Sequence, residues 1–227
     1  SYYGKLLQEF QNVQWVTWES GFNYSAINNF GVKHAKGDYL LFLNNDTELI
    51  SEDGIREMLG CCMRKEVGCV GAKLLFADDT VQHAGIVLGF GGFAGHVFSG
   101  IGKDDLGFML RPVINCNYSA VTAACLMVRR EVFEEVGRFN EDFAVALNDV
   151  EFCMKVREKK YLIVYNAFSL WHHYESKSRG YEDTPEKQER FQREVEKFRS
   201  IWGPVVDAGD PYYNENFSVN RAPFTLW

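Results

Sequence analysis

No apolar run in this chain approaches the ~18 to 20 residues that an α-helix needs to span a bilayer. Its opening decapeptide, SYYGKLLQEF, has neither the basic n-region nor the apolar h-region of a secretory signal. A soluble, cytoplasmic location is the expectation. Proline is scarce, with five in 227 residues, and there is no Ser/Pro-rich run, low-complexity tract or internal repeat, which excludes an evident linker and solenoid or propeller architectures. Paired CxxC spacing is missing as well. Cys61, Cys62, Cys69, Cys116, Cys125 and Cys153 stand mostly in apolar runs, which predicts buried thiols in a reducing compartment rather than a zinc site. Excess positive charge is also absent: the formal net charge is -7, so a binder of nucleic acid that works by replacing phosphate counterions is excluded. Small phosphorylated ligands stay open, since one metal ion and a few backbone amides can hold a diphosphate. The Gly-rich stretch from 85 to 102 lacks a strand–GxGxxG–helix unit with a following acid and is no dinucleotide fingerprint.

What is present is enough apolar material, 46% of residues, to bury one sizeable α/β core. A single domain over 1–227 is predicted, with 204–227 as an irregular tail. Residues 13–18 (VQWVTW) read as a short strand, and the spacing of Phe22, Ala26, Ile27, Phe30 and Ala35 predicts a helix over 24–36. Tyr39 to Leu43 is apolar at every position, as in a strand covered on both faces of a parallel sheet. A helix near 52–64, strands near 67–71 and 73–76, and a mobile Gly-rich loop over 85–102 follow. Residues 119–128 read as a buried strand, 131–136 as a short helix, and Asn148 as the N-cap of a helix ending near Lys159. A short strand at 161–165 leads to Trp171-His172-His173. Pro185 opens the last helix, with Phe191, Val195, Phe198 and Trp202 as its core stripe.

Polar clusters stand at the ends of these apolar elements: NNDTE (44–48), NDVE (148–151) and HHYESKSRG (172–180). Ligands of open α/β sheets bind beyond the carboxyl ends of strands, which is where Asp46 falls. Hard divalent cations take carboxylate and carbonyl oxygens and occasionally imidazole, so Asp46 and His173 are candidate ligands. Asn45-Asp46 also reads as a plain turn before the next helix. Asp149 fits a general base taking a proton from an acceptor hydroxyl, or simply a first-turn acid stabilised by the helix dipole. Glu151 is a fallback, but two residues along a helix it cannot share the same face as Asp149. Adjacent His172 and His173 would point to opposite sides of a strand, so at most one enters a site. Arg179 could clamp a phosphate; Lys73 and His96 are weaker candidates.

Ordered segments covering nearly the whole chain resemble family 2 glycosyltransferases, especially the bacterial branch that builds rhamnose-containing, O-antigen and capsular polysaccharides. They are FNYSAINNFGVKHAKGDYLLFLNNDTEL (22–49), VGAKLLF (70–76), QHAGIVLG (82–89), AVTAACLMVRREVFEEVGRFNEDF (120–143), NDVEFCMKVREKKY (148–161), HYESKSRG (173–180) and DPYYNENFS (210–218). The resemblance implies a nucleotide-diphospho-sugar transferase fold of the A type (GT-A), with a mixed, mostly parallel sheet flanked by helices. It also implies hexosyl or rhamnosyl transfer with inversion, a divalent Mn2+ or Mg2+, a UDP- or dTDP-sugar donor and a saccharide acceptor. By the same resemblance Asn44-Asn45-Asp46 falls on the metal and diphosphate motif, Asp149 on the catalytic base and His173 on a histidine that completes the metal shell in some relatives. Asn23 and Asn28 fall near the donor, and Asn148, Glu175 and Arg179 near the donor diphosphate or the acceptor. Asn44 stands where many relatives carry aspartate, which removes one negative ligand. Family members normally open with strands gripping base and ribose, and this chain is expected to start after them. An exposed sheet edge there would favour a homodimer, and a lipid-linked acceptor would bring the chain to the inner face of the membrane.

Two other classes compete. A catalytically silent sugar-binding or assembly module would stack sugars on Trp171, Tyr174 and Tyr181. A metal-dependent nucleotidyltransferase would need a basic, Gly-rich N-terminal loop, which this chain lacks.

Overall fold

The computed structural model describes residues 9, 10, 12–174 and 184–227. Alternation of side chains along strands builds two cores, one on each face of a sheet. In Tyr39–Leu43 (β1), Leu40 and Phe42 join one core while Tyr39 and Leu41 pack on the other. Cys125–Arg129 (β8) repeats the pattern, with Leu126 and Val128 on the first face and Cys125 and Met127 on the second. Val67–Leu75 (β3), buried at every position, lies at the centre against Leu162–His173 (β9).

The sheet runs β1-β8-β3-β9-β2, where β2 is Thr47–Leu49. Val81–His83 (β4) extends the β8 side of β3, and Cys116–Tyr118 (β7) the β2 side of β9. Among the described residues only β3 and β9 pair in parallel; every other pairing in this sheet is antiparallel. The sheet is mixed, and the expected parallel majority is not found. Tight reversals explain part of this. The turn after β3 bonds Asp79 N to Phe76 O at 3.1 Å and sends β4 straight back along its neighbour, whereas a parallel partner needs a long crossover.

Helix Gly54–Cys62 (α2) covers one face with Met58 and Cys62. The other face carries Arg130–Glu135 (α3), Asn148–Glu158 (α4) and Pro185–Asp207 (α5). Phe139 sits at the middle of that second layer, its ring 4.8 Å from Phe42 and 4.9 Å from Phe152 between centroids. Such aromatic pairs contribute about 1 kcal/mol each beyond the area they bury. No helix among the described residues is long and apolar enough to cross a membrane.

Several expectations need correction. Residues 13–18 form no strand; they are mostly exposed and pair with no described strand. The first helix, Tyr24–Val32 (α1), stops short of 36, closing with Lys33 N bonded to Phe30 O at 3.1 Å. β1 is covered on both faces as expected, but it is an edge strand among the described residues and pairs antiparallel with β8 rather than within a parallel sheet. The Gly-rich stretch is an ordered hairpin of Ile86–Leu88 (β5) and Ala94–His96 (β6). Gly85, at φ +109°, lies against the Tyr118 ring so closely that a Cβ would come within 2.4 Å of it. Strand 161–165 is the first part of the twelve-residue β9. The last helix passes through Pro204 to Asp207, so the irregular tail begins later than 204. Buried Trp202 and Val206 hold the helix down on either side of the proline, and Arg199 grips Asp207 across it with two bonds of 2.9 and 3.0 Å. All six cysteines are free, and the Cys69 and Cys153 thiols share a hydrogen bond at 4.0 Å rather than a disulfide.

Arg129 closes the bend between α2 and β3. Its buried guanidinium donates to the carbonyls of Cys62 (3.0 Å), Arg64 (2.9 Å), Lys65 (3.1 Å) and Val67 (2.6 Å). Removing it leaves several partly buried acceptors without a donor, each costing about 1–3 kcal/mol. Arg129→Met is therefore expected to lower unfolding free energy by about 3 kcal/mol, read from the urea midpoint; an unchanged midpoint would refute the role.

Candidate functional site

At the end of β1 the chain turns through Asn44–Thr47, where Thr47 Oγ1 donates to Asn44 O (2.8 Å) and Asn44 N donates to Ala124 O (2.9 Å). β2 then pairs antiparallel with the end of β9, placing Thr47 opposite His173, and Tyr174 N donates to Asp46 O at 2.8 Å. This register sets Asp46 Oδ1 3.2 Å from His173 Nε2, both side chains largely buried. His172 points the other way, its Nε2 2.8 Å from Asp79 Oδ1.

The Asp46–His173 pair is where this cleft could hold a cation. Asp46 Oδ1 is buried and, despite its nearness to the imidazole, makes no hydrogen bond. His173 Nε2 accepts from Asn44 Nδ2 (3.2 Å), while its Nδ1 faces Gln82 Oε1 at 2.6 Å. An orphaned carboxylate oxygen beside an imidazole lone pair is an arrangement a divalent ion would satisfy. No group of three or more His, Cys, Asp or Glu forms at ligating distance among the described residues. A hard ion held here would draw its other ligands from water or a bound phosphate.

Asp149 reaches the same cleft from the first turn of α4. Its Oδ1 accepts from Val150 N (2.8 Å) and its Oδ2 from Ala123 N (3.2 Å), which fixes the carboxylate plane. The helix does not start with Asn148 as N-cap. Leu147 takes that position in the left-handed region, φ 58°, and Asn148 turns back to donate to Val145 O at 2.9 Å. Strained backbone of this kind needs outside support. Glu194 of α5 supplies it, its carboxylate accepting from Val145 N (3.0 Å) and Ala146 N (2.9 Å). Glu151 is buried beside Lys155, 3.2 Å away, and burial raises its pKa; it does not line the cleft.

Helix α1 clamps the loop that leads to Asp149. Ser25 Oγ donates to Phe143 O (2.7 Å), Tyr24 N to Ala144 O (2.7 Å), and Asn29 exchanges bonds with Phe139 N and O. Asn23 belongs to this clamp. Its Oδ1 caps Ala26 N and its Nδ2 holds Glu141 O, so both ends of its amide are used and it does not line the cleft.

The result is an open cleft of about 780 Å3 lined by Asn28, Asn44, Asn45, Asp46, Asn148, Asp149 and His173. Asn28 donates to Tyr24 O at 2.8 Å. Glu175 and Arg179 lie outside the described residues. Lys73 is buried and donates to Lys103 O at 2.6 Å, and His96 pairs with His83, Nδ1 to Nδ1 at 3.1 Å. Tyr24, Thr122, Ala123 and Ala124 also line the cleft and escaped the sequence reading. Tyr24 donates to Ala123 O at 2.8 Å, and burial together with the Asp149 carboxylate pushes its pKa far up, so it stays a neutral donor. A tyrosine at helical spacing carries no sequence signal of that placement.

The family model for glycosyl transferase family 2 matches residues 2–137. The chain belongs to this glycosyltransferase family. It is 45% identical over 206 residues to an uncharacterized protein of Sinorhizobium fredii, covering 90% of this chain. It is 40% identical over 214 residues to the O-antigen biosynthesis protein RfbC of Myxococcus xanthus, covering 91%. The chain spans only 23% and 16% of the lengths of these two relatives. Its fold matches that of GalNAc-T7, solved with UDP, GalNAc and Mn2+, with a TM-score of 0.64 at 14% identity, over 94% of this chain and 42% of the other. This family member therefore has the GT-A-like α/β fold, a mixed sheet flanked by helices.

His83 offers a pH test of the site's support. It is fully buried, its Nε2 lies 3.5 Å from Thr122 N, and burial, with His96 and His173 adding, holds its pKa well below the ordinary value. The unfolded chain takes up a proton at this residue below about pH 6.5 while the folded chain does not. Its contribution is thus present above that pH and lost as pH falls. His83→Gln should flatten the decline in urea midpoint between neutral and mildly acidic pH; an identical decline would refute the assignment.

Proposed function

We propose that this chain is the metal- and acceptor-binding part of an inverting glycosyltransferase, moving a sugar from a nucleotide-diphospho-sugar to a saccharide acceptor in cell-surface polysaccharide synthesis. The observation that carries the reading is the convergence of Asp46, His173 and Asp149, from three distant segments, on one cleft. Family membership supports it, as do the relative named for O-antigen biosynthesis and the Mn2+ and UDP in the GalNAc-T7 structure.

On this reading Asp149 takes the proton of an acceptor hydroxyl as that oxygen attacks the anomeric carbon. The new C–O bond forms opposite the bond that breaks, so configuration inverts, and the nucleoside diphosphate leaves with the bonding pair. Ala123 N and Val150 N keep the Asp149 carboxylate oriented, and neutral Tyr24 holds the Ala123 peptide from its other side. Asp46 and His173 would hold the divalent ion, Mn2+ or Mg2+, which supplies electrostatic stabilisation of the departing diphosphate. Asn44, Asn45, Asn28 and Asn148 give neutral polar lining for donor and acceptor.

The competing sugar-binding module loses its main platform. Trp171 is buried, its indole N–H bonded to Ser169 Oγ at 2.9 Å, and cannot stack on a sugar. Tyr174 is held to Glu48 by its hydroxyl, and Tyr181 lies outside the described residues.

Calorimetric titration of UDP and dTDP with and without manganese tests the assignment. Saturable, manganese-dependent binding should vanish in Asp46→Ala and persist in Asp149→Asn. With a sugar nucleotide the wild type turns over, Asp149→Asn should slow transfer by about 10²–10⁴-fold. Binding that is indifferent to manganese and to Asp46 would sink the reading.

A further inference from the structure

The cleft depends on one residue that nothing above gives a role in the chemistry. Gln82, on β4, is buried and meets His173 with both ends of its amide. Its Nε2 donates to the backbone carbonyl of His173 at 3.3 Å, and its Oε1 lies 2.6 Å from His173 Nδ1. The carbonyl can only accept, so the amide nitrogen must face it and the amide oxygen must face the ring. An amide oxygen is an acceptor, so the ring nitrogen opposite it carries the proton. The tautomer of His173 therefore follows from a backbone carbonyl, through Gln82, to the imidazole.

The far side of the ring agrees. With the proton on Nδ1, Nε2 presents a lone pair, which accepts from Asn44 Nδ2 at 3.2 Å and faces the orphaned Asp46 Oδ1, also at 3.2 Å. Had the proton been on Nε2, Asn44 would have met a donor with a donor. Imidazoles that ligate metals generally donate their other N–H to such a partner, and losing it costs about 10–100-fold in metal affinity.

We propose that Gln82 is the positioning residue of the cleft, holding His173 as its Nδ1–H tautomer with the Nε2 lone pair aimed beside Asp46, and so setting the affinity for the divalent ion. This rests on the metal-site reading of Asp46 and His173 above. The residue sits in the QHAG segment, whose role the sequence alone left blank.

The test has two separable readouts. In the metal-free chain at mildly alkaline pH, where imidazole is neutral, nitrogen-15 NMR of His173, assigned by its loss in His173→Asn, should show the Nδ1–H form. Gln82→Met, similar in size but without hydrogen-bonding groups, should shift His173 toward the Nε2–H form and weaken Mn2+ binding by about 10–100-fold. Gln82→Glu loses the bond to the His173 carbonyl but keeps an acceptor at the ring and should retain the Nδ1–H form, which guards against a mere loss of fold. A His173 tautomer that is Nε2–H in the wild type, or unchanged in Gln82→Met, overturns the proposal. Failure of the wild type to bind Mn2+ would instead overturn the metal reading, and with it the link from Gln82 to affinity. The tautomer result would still decide what Gln82 does to the ring.

Discussion

The short antiparallel pairing of β2 with the last residues of β9 is the constraint on which the cleft depends. It opposes Thr47 to His173 and Glu48 to His172, and thereby decides which of two adjacent histidines meets Asp46. Side chains alternate along a strand, so a slip of one residue would exchange them and leave Asp46 without its imidazole. Three residues of pairing could not hold that register alone. β9 is pinned by parallel pairing to β3 over 162–166 and again over 170–172, and every position of β3 is buried, so its displacement would unseat both cores. The meeting of Asp46 and His173 is a consequence of central sheet packing, carried outward along a twelve-residue strand.

The second half of the cleft is built differently. Asp149 stands at the start of a helix entered through a left-handed leucine, a conformation costing about 1–3 kcal/mol that persists only where surroundings impose it. Here those surroundings are polar. Glu194 holds the two amides ahead of the bend, while Ser25, Asn23, Asn29 and the Tyr24 amide hold the segment before them. Buried, satisfied hydrogen bonds of this kind specify a geometry more than they add stability, because each replaces a bond to water. The polar residues at the start of and within α1 thus act on the placement of Asp149 through the loop at 139–146.

Much of this was legible in the sequence, and the misses have physical causes. The apolar run of β1 marked a strand and its end, so Asp46 could be placed; alternation placed the two histidines on opposite sides. Partner direction could not be read, because Leu40 and Phe42 would alternate alike in a parallel or an antiparallel sheet. The glycines of 85–102 read as a mobile loop, whereas Gly85 is required by the Tyr118 ring and β5 is buried at every position. Asn23 looked like a ligand-facing residue because its position in the chain does not reveal that the N-cap and a carbonyl 118 residues away use up its amide. Gln82 and Glu194 were invisible for a related reason. Glu194 serves backbone amides, and Gln82 a backbone carbonyl and an imidazole 91 residues away, pairings that leave no trace in residue identity.

Charge accounting within the cleft connects the two halves. The proposed ligating pair offers a single carboxylate and an imidazole, since Asn44 and Asn45 contribute no charge. On the proposed reading a divalent ion seated there would keep about one uncompensated positive charge, and a diphosphate is the partner that completes it. Ion and donor would then be held mutually, each weak without the other. The Asn44 amide fits this economy: by donating to His173 Nε2 it occupies the lone pair while no cation is present, and it is a neutral group that can be displaced without leaving a buried charge behind. An aspartate at position 44 would add a second carboxylate beside Asp46, strengthening the hold on the ion. Without a cation, however, two buried like charges would face each other. On the proposed reading, neutral asparagine avoids that repulsion and leaves the strength of ion binding to the diphosphate and to the orientation of one imidazole.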